Sequence, residues 1–142
     1  MRFVTVGRHP FTERQRELLR RAGLDEEVAR VQHVESVEKV VELAKSLGAA
    51  IVVQALPLPM MVELVEEARR SGVPVYAFRI ENVALLPAET YEEARKLAEE
   101  RDADLFVYDP DTKTVRLRRT TALQRVRRFR VILEAEDIAR VR

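Results

Sequence analysis

Cysteine and tryptophan are absent from this sequence of 142 residues, glycine occurs only four times and asparagine once. Without cysteine the chain has no disulfide, no thiolate metal site and no cysteine nucleophile. No apolar run approaches the roughly 18 residues of a membrane span, and the first apolar stretch is interrupted too soon for a signal peptide. We therefore expect a cytoplasmic protein with no membrane partner.

Length and composition indicate a single domain over residues 1–142. The sequence is 46% apolar and 35% charged and has no low-complexity run, which is typical of a globular chain large enough to bury a core. Many Arg and Glu, one Asn and four Gln resemble the composition of thermophile proteins, although GC-rich codon usage gives the same bias. The net charge of +1 is unevenly distributed, because residues 113–130 carry eight basic and no acidic residues, leaving 17 basic against 24 acidic residues elsewhere.

The hydrophobic pattern alternates between short apolar strands and amphipathic helices. Strands are predicted at 2–6, 28–34, 49–53, 73–78 and 104–108, with helices that begin at the capping residues Thr12, Ser36 and Thr90 and near Pro59. This repeat predicts a Rossmann-like, doubly wound α/β domain with a mainly parallel five-stranded sheet in the order 2-1-3-4-5 and helices on both faces.

The pattern changes near the C-terminus. Turn residues at 109–113 and an arm at 114–118 predict a β-hairpin, and the alternation at 126–133 predicts a last strand. Residues 104–133 are thus expected to form a strand and hairpin extension of the sheet. The tail after Glu134 is either helical or frayed.

A doubly wound sheet binds ligands at the carboxyl ends of its strands, here where strands one and three diverge. Loop 7–12 follows strand one and leads into a helix N-terminus, which attracts anions. In this loop Gly7 starts the turn, Arg8 can fork onto a phosphate, His9 can exchange a proton near neutral pH, and Thr12 offers a hydroxyl. The alternative is purely structural, with Thr12 as a cap, His9 shaping the turn before Pro10 and Arg8 solvated.

Three more candidates follow strands three and four. Gln54 opens the loop after strand three, where it either reads a base or amide edge or only ends the strand. Arg79 and Asn82 are expected just beyond strand four, and Arg79 either clamps an anion or pairs with Glu81.

Several motifs of known chemistry are missing. Loop 7–12 has one glycine where GxGxxG needs three, and no Gly-Lys-Ser/Thr ends it, so dinucleotide binding and ATP hydrolysis are not expected. The only histidines, His9 and His33, have no metal-ligand spacing with carboxylates, and no serine stands in GxSxG. We predict no metal and no cofactor.

The run Gly7-Arg8-His9-Pro10-Phe11-Thr12-Glu13-Arg14-Gln15 after strand one, with a second loop after strand three, resembles the small stand-alone Rossmann-fold (CARF-like) proteins associated with type III CRISPR systems. In several of them a His-Pro-[aliphatic or aromatic]-Thr-x-x-Gln turn follows the first strand. The likeness covers about residues 1–80, and the basic hairpin has no counterpart in it.

That resemblance implies a cytoplasmic homodimer of antiviral defence that binds cyclic oligoadenylate across its two-fold axis, some members cleaving the ring as ring nucleases. By carry-over, Arg8, His9 and Thr12 would contact the ligand, and the fold geometry adds Gln54 and Arg79. Cleavage would be a metal-independent attack of a ribose 2′-OH on the neighbouring phosphate, with Arg8 and Arg79 stabilising charge and His9 as general acid or base.

Two other classes of function stay open. A nucleic-acid-binding module, with RNA as a possible partner, would centre on the arginines of 113–130, although Phe129 is the only aromatic residue there. These arginines equally well pair with acidic helices of the same chain or of a second copy. A protein-binding regulatory factor would use an exposed hairpin edge and no catalysis.

Overall fold

The computed structural model describes residues 1–130 and 132–141. Within them six strands form one mixed sheet with four helices. The strands are Arg2–Val6 (β1), Glu26–Val31 (β2), Ala50–Val53 (β3), Val75–Pro87 (β4), Leu105–Asp109 (β5) and Thr114–Arg125 (β6), and the helices are Glu13–Arg21 (α1), Val37–Ser46 (α2), Leu58–Arg70 (α3) and Tyr91–Glu100 (α4). Across this described part, every helix is too short or too polar to cross a membrane.

The first half of the chain forms four adjacent parallel strands in the order β2-β1-β3-β4, as predicted. Helices α2 and α3 cover one face, where Val41 and Leu64 pack on Val4 and Ile51 of the central strands. On the opposite face lies α1, whose Leu19 joins a cluster with residues of β1 and β3. Helices therefore lie on both faces, and the α/β class is confirmed.

Capping residues start the helices where the sequence predicts. The Thr12 hydroxyl accepts from the N–H of Gln15, whose side chain accepts from the N–H of Thr12, so the reciprocal capping box of α1 is confirmed. Ser36 and Thr90 accept from backbone N–H groups three residues on. Pro59 lies in the first turn of α3, where its missing N–H has no intrahelical acceptor to lose.

The second half departs from the predicted sheet. β6 lies between β4 and β5 and is antiparallel to both, so the order is β2-β1-β3-β4-β6-β5, and the predicted order 2-1-3-4-5 with five strands is wrong. The predicted turn at 109–113 is confirmed, because β5 ends at Asp109 and β6 begins at Thr114. A hairpin places β6 beside β5, and β6 is long enough to pair with β4 along nearly its whole length.

Two predicted strand ends are also wrong. β4 does not end at Phe78 but continues to Pro87, because β6 supplies hydrogen-bond partners along that stretch. The strand predicted at 126–133 does not form: β6 ends at Arg125, Val126 makes one backbone bond to Val75, and 127–130 and 132–133 belong to no strand, while Val131 lies outside the described residues. The described part of the tail after Glu134 contains no helix.

A separate small core supports the long β4–β6 ribbon. Ala94 and Ala98 of α4 pack on Val115 and Leu117 of β6. Register places these two β6 residues on the same face as Leu86 and Ala84 of β4 and Tyr108 and Phe106 of β5. Helix α4 therefore covers one face of this extension of the sheet.

Candidate functional site

Two loops leave the same end of the sheet, as predicted. β1 and β3 are hydrogen-bonded parallel neighbours with Val6 opposite Val53, so loop 7–12 and the loop that begins at Gln54 start side by side. From β1 the chain continues through α1 to β2 on one side, while β3 lies on the other side of β1. This divergence is where open α/β sheets bind ligands.

The side chain of Gln54 holds loop 7–12 in place. Its Nε2 donates to the carbonyl oxygen of His9 at 2.6 Å, and the His9 N–H donates to its Oε1 at 3.2 Å. The Gln54 N–H donates to the carbonyl of Val6 at 2.8 Å, which fixes its backbone against β1. Both ends of the amide are therefore used inside the protein, where they hold the loop.

Gly7 allows this close approach. Its φ is +152°, and a Cβ there would lie 2.1 Å from Oε1 and 2.6 Å from Cβ of Gln54. Both distances are far below van der Waals contact, and the backbone conformation itself favours glycine. Gly7 therefore serves the packing of the two loops against each other.

Arg30 of β2, which the sequence analysis does not single out, fixes the loop from the other side. Its Nη1 donates to the carbonyl of His9 at 2.8 Å and to Oε1 of Gln54 at 3.3 Å, while its Nε bonds Glu27 at 2.8 Å. The guanidinium carbon lies 5.3 Å from the centre of the Phe11 ring. In the sequence, Arg30 could be recognised only by its place within a predicted strand, three residues after Glu27 and beside the point where strands one and three are expected to diverge.

Phe11 anchors the end of loop 7–12 in the core. Its buried ring makes edge-to-face contacts with Phe3 of β1 and Phe78 of β4, at centroid distances of 6.2 and 5.9 Å. Such aromatic contacts favour one ring orientation. The loop is thus held at its start by Gly7, at its middle by Gln54 and Arg30, and at its end by Phe11.

Arg8 and His9 are exposed at the apex of this fixed loop. In the stretches 1–130 and 132–141, neither the guanidinium of Arg8 nor the imidazole of His9 makes a hydrogen bond or ion pair. Every bond that holds His9 is made by its backbone. Both side chains are therefore available to a ligand without any loss of contacts within the chain.

A shallow cavity of about 250 Å³ lies beside the loop at the carboxyl ends of β1 and β3. Its wall combines the backbone of Gly7 with His33, Leu56 and Met60. Pockets that enclose a whole small molecule measure about 300–1,000 Å³. This cavity therefore offers space for part of a large ligand rather than for all of it.

Thr12 does not line that cavity, and its hydroxyl belongs to a partly buried polar network. It donates to Oδ2 of Asp104 at 2.7 Å, and the Thr120 N–H donates to Oδ1 of the same carboxylate at 2.7 Å. Gln15 closes the network, because its Nε2 donates to the Thr120 hydroxyl at 3.1 Å. The network joins the N-terminus of α1 to β6, and the sequence analysis finds only its Thr12–Gln15 part.

Asp104 is the charged centre of this network. Burial raises the pKa of its carboxyl, but the hydrogen bonds from the Thr120 N–H and from the hydroxyls of Thr12 and Thr120 outweigh burial and lower the pKa below its ordinary value. Arg14 adds positive charge, with Nη1 3.7 Å from Oδ1 of Asp104 and Nη2 2.6 Å from Oδ1 of Asp102. The ionised carboxylate is thereby stabilised in the folded protein.

Arg79 and Asn82 lie within β4 rather than beyond its end, which corrects their expected placement. Arg79 donates from Nε to the Thr121 hydroxyl at 2.9 Å, and the same nitrogen lies 3.7 Å from Oε1 of Glu81, the pairing that the sequence left open. Asn82 is exposed opposite Arg118. Because β3 pairs with β4 only as far as Ala77, a rise of about 3.3 Å per residue puts Asn82 roughly 15 Å past it.

The basic segment 113–130 pairs little with acidic groups. Lys113 bonds Glu89 at 3.1 Å. Arg119 donates to the carbonyls of Asp102 and Arg101, at 2.8 and 2.6 Å, at the C-terminal end of α4. Among the described residues none of its seven arginines forms an ion pair, and no three His, Asp or Glu side chains lie together in a way that would hold a metal.

Comparison of the chain with protein-family models, with curated proteins and with solved structures finds no match. What the protein does is therefore inferred from its own residues.

Proposed function

We propose that the protein binds cyclic oligoadenylate, an anionic nucleotide ring, at loop 7–12 and opens it without a metal. The observation that carries the proposal is the pair Arg8 and His9, whose side chains form no hydrogen bond or ion pair within the described chain yet lie on a loop fixed by Gln54 and Arg30. A fixed loop presents its side chains at a low entropic cost.

Two residues of the loop, Arg8 and His9, act directly in the proposed reaction. Arg8 binds a phosphate of the ring through its guanidinium fork. A ribose 2′-OH attacks the adjacent phosphorus, the P–O5′ bond breaks, and a 2′,3′-cyclic phosphate and a free 5′-OH form. His9 takes the 2′-OH proton or protonates the leaving oxygen. Gly7, Thr12 and Gln54 act by holding the loop, and Arg79 and Asn82 lie on the β4–β6 ribbon, where they touch only a ligand that extends that far.

The shallow cavity supports a site shared by two copies of the chain. A volume of about 250 Å³ takes part of one nucleotide, whereas a ring of four or six nucleotides exceeds it several times. Two loops related by a two-fold axis would present two Arg8 and two His9 side chains to a symmetric ring. The proposed Rossmann-like, CARF-like class and the homodimer belong to this proposal.

The test is direct. The protein is incubated with cyclic tetra- and hexa-adenylate in EDTA, and the products are separated by chromatography. Arg8→Ala should lose binding and rate together, because a phosphate contact stabilises ground and transition states alike, whereas His9→Ala should lose mainly rate. Arg16→Ala is the matched control, since Arg16 is an exposed arginine of α1 paired with Glu13. The proposal fails if neither ring is bound or linearised at a tenfold protein excess.

A second candidate function is RNA binding by the basic segment. It is favoured by the seven arginines between 116 and 130 that form no ion pair within the described chain. Such binding would weaken steeply with salt and would not depend on His9. Binding of RNA without binding of either ring would select this candidate.

A further inference from the structure

Beyond Thr120, where α1 packs on β6, the face of the β4–β6–β5 ribbon opposite α4 has no helix over it in the described chain. Register aligns Leu85, Arg116 and Val107 in one row across the three strands, and Asn82, Arg118 and Leu105 in the next. Leu85 and Val107 lie on the outer strands of the ribbon and are 60% and 62% exposed, a large fraction for aliphatic side chains in a sheet. We call these six residues the open face.

Two cations without acidic partners lie among these apolar side chains. In the described chain neither Arg116 nor Arg118 forms an ion pair, and the buried Nε of Arg118 has no hydrogen-bond acceptor. A buried donor without an acceptor is unfavourable, so a carboxylate placed there would be stabilising. The open face therefore matches a partner that is apolar and acidic.

The C-terminal segment 132–141 has this chemistry. Ile132, Leu133, Ile138 and Val141 are each more than four-fifths exposed, and the segment forms neither helix nor strand. Its acidic residues, Glu134, Glu136 and Asp137, lie between the two apolar pairs. Asp137 pairs with Arg140 of the segment at 2.9 Å, whereas Glu134 and Glu136 form no ion pair within the described chain. The chain thus exposes an apolar, acidic segment and an apolar, basic face at the same time.

We propose that the segment 132–141 of one copy covers the open face of a second copy, and the reverse, in a symmetric dimer. The apolar side chains of the segment pack on Leu85 and Val107, while its carboxylates bond Arg116 and Arg118. Each copy gives one segment and receives one, so the contact closes with two-fold symmetry.

The position of helix α1 favours a second copy over the chain's own segment. β6 ends at Arg125, which lies nine residues of strand, or about 30 Å, from Arg116. The chain's own segment could span this distance only by running back nearly straight along the same face of β6. Helix α1 obstructs that line, because Gln15 bonds Thr120 on the same face of β6. The segment of a second copy has no such constraint.

The experiment exchanges charge between two variants and measures mass by sedimentation velocity without any ligand. One variant is Arg116→Glu, and the other is Glu134→Arg with Glu136→Arg. Each variant alone places like charges opposite each other at both contacts. It should therefore sediment as a monomer at about 10 µM, a concentration at which we expect the wild type to be a dimer. In their mixture each segment meets a face of opposite charge, so dimers should return.

Two more variants complete the design, with circular dichroism to establish that each is folded. Ile132→Ser with Ile138→Ser should weaken the dimer at least about tenfold, because both side chains leave apolar contact. Leu58→Ser, which changes a leucine of α3 that is 66% exposed, should not. A monomeric wild type, single variants that stay dimeric, or a mixture that stays monomeric would each overturn the proposal. Because no nucleotide is present, these results are independent of the proposed ring binding.

Discussion

Gly7→Ala should destabilise the protein more than the same substitution at Gly23, Gly48 or Gly72, where an added Cβ would meet no neighbouring atom within 4 Å. An alanine Cβ at position 7 would lie 2.6 Å from Cβ of Gln54, whose backbone is bonded to Val6 and so cannot swing aside as a flexible end would. The variant must move the loop, which breaks the two bonds between the Gln54 amide and the His9 backbone, each worth about 1 kcal/mol. The strained backbone adds about 1–3 kcal/mol.

The expected loss of unfolding free energy is therefore about 3–5 kcal/mol, or a fall in Tm of roughly 9–15 °C for a chain of this length. Thermal and urea unfolding followed by circular dichroism measures both. Gly48→Ala is the matched control: its φ of +60° is also left-handed, but no atom lies within 4 Å of a Cβ there, so it should cost only about 1–2 kcal/mol. Equal melting of the two variants would refute the contact between loop and Gln54.

Two further predictions concern other parts of the chain. Asp104→Asn should lower the free energy of unfolding by about 1–3 kcal/mol, because it weakens the acceptor of the Thr120 N–H. Because the pKa of Asp104 is lowered in the folded protein, the stability that its carboxylate contributes is present above about pH 4 and is lost as the pH falls through the lowered pKa. The unfolding free energies of variant and wild type, measured in urea, should therefore converge in acid. A difference between them that stays constant with pH would contradict this. Arg127→Glu with Arg128→Glu should weaken binding of RNA or oligoadenylate in about 50 mM salt in a filter assay, and unchanged binding would assign these arginines to contacts within the protein.

The parallel half of the fold is predictable because its signals are local. Thr12, Ser36 and Thr90 begin helices by bonds to residues three positions away, and an apolar run such as β3 is typical of a strand covered on both faces. Short crossovers of fixed handedness then leave few orders for these strands. The positions of loops 7–12 and 54–57 follow from that order alone.

The antiparallel half is not predictable in the same way, because its signals are contacts distant in sequence. Arg79, Glu81 and Asn82 interrupt an apolar run and so resemble the end of a strand, yet β6 pairs with all three from about forty residues further on. Because β6 pairs with β4 on one side, β5 pairs only with β6 and is the edge strand of the sheet. The alternation at 126–133 predicts a strand, but a strand needs a neighbouring strand to pair with. The neighbour of β6 is β4, which begins at Val75, and the Val126 N–H makes the last backbone bond to it.

In the candidate site, too, the features that depend on residue type are predictable from the sequence, and the contacts that depend on the fold are not. Residue types identified Arg8 and His9 as side chains with chemistry, and the fold placed them, but the bonds of Gln54 and Thr12 to His9 and Asp104 depend on side-chain orientation. Arg30 was missed because its role comes from lying beside β1, which only the sheet order reveals.

The bonds that hold loop 7–12 do not involve its two exposed side chains, Arg8 and His9, so these can be substituted without disturbing the fold. Gln54 and Arg30 bond the backbone of His9 and do not touch its ring, and in the described chain no contact depends on the guanidinium of Arg8. Substitution of Arg8 or His9 therefore removes a charge or a proton carrier while every bond that shapes the loop remains. A loss of binding or rate in those variants, with unchanged melting, reports contact with a ligand and not collapse of the loop that presents it.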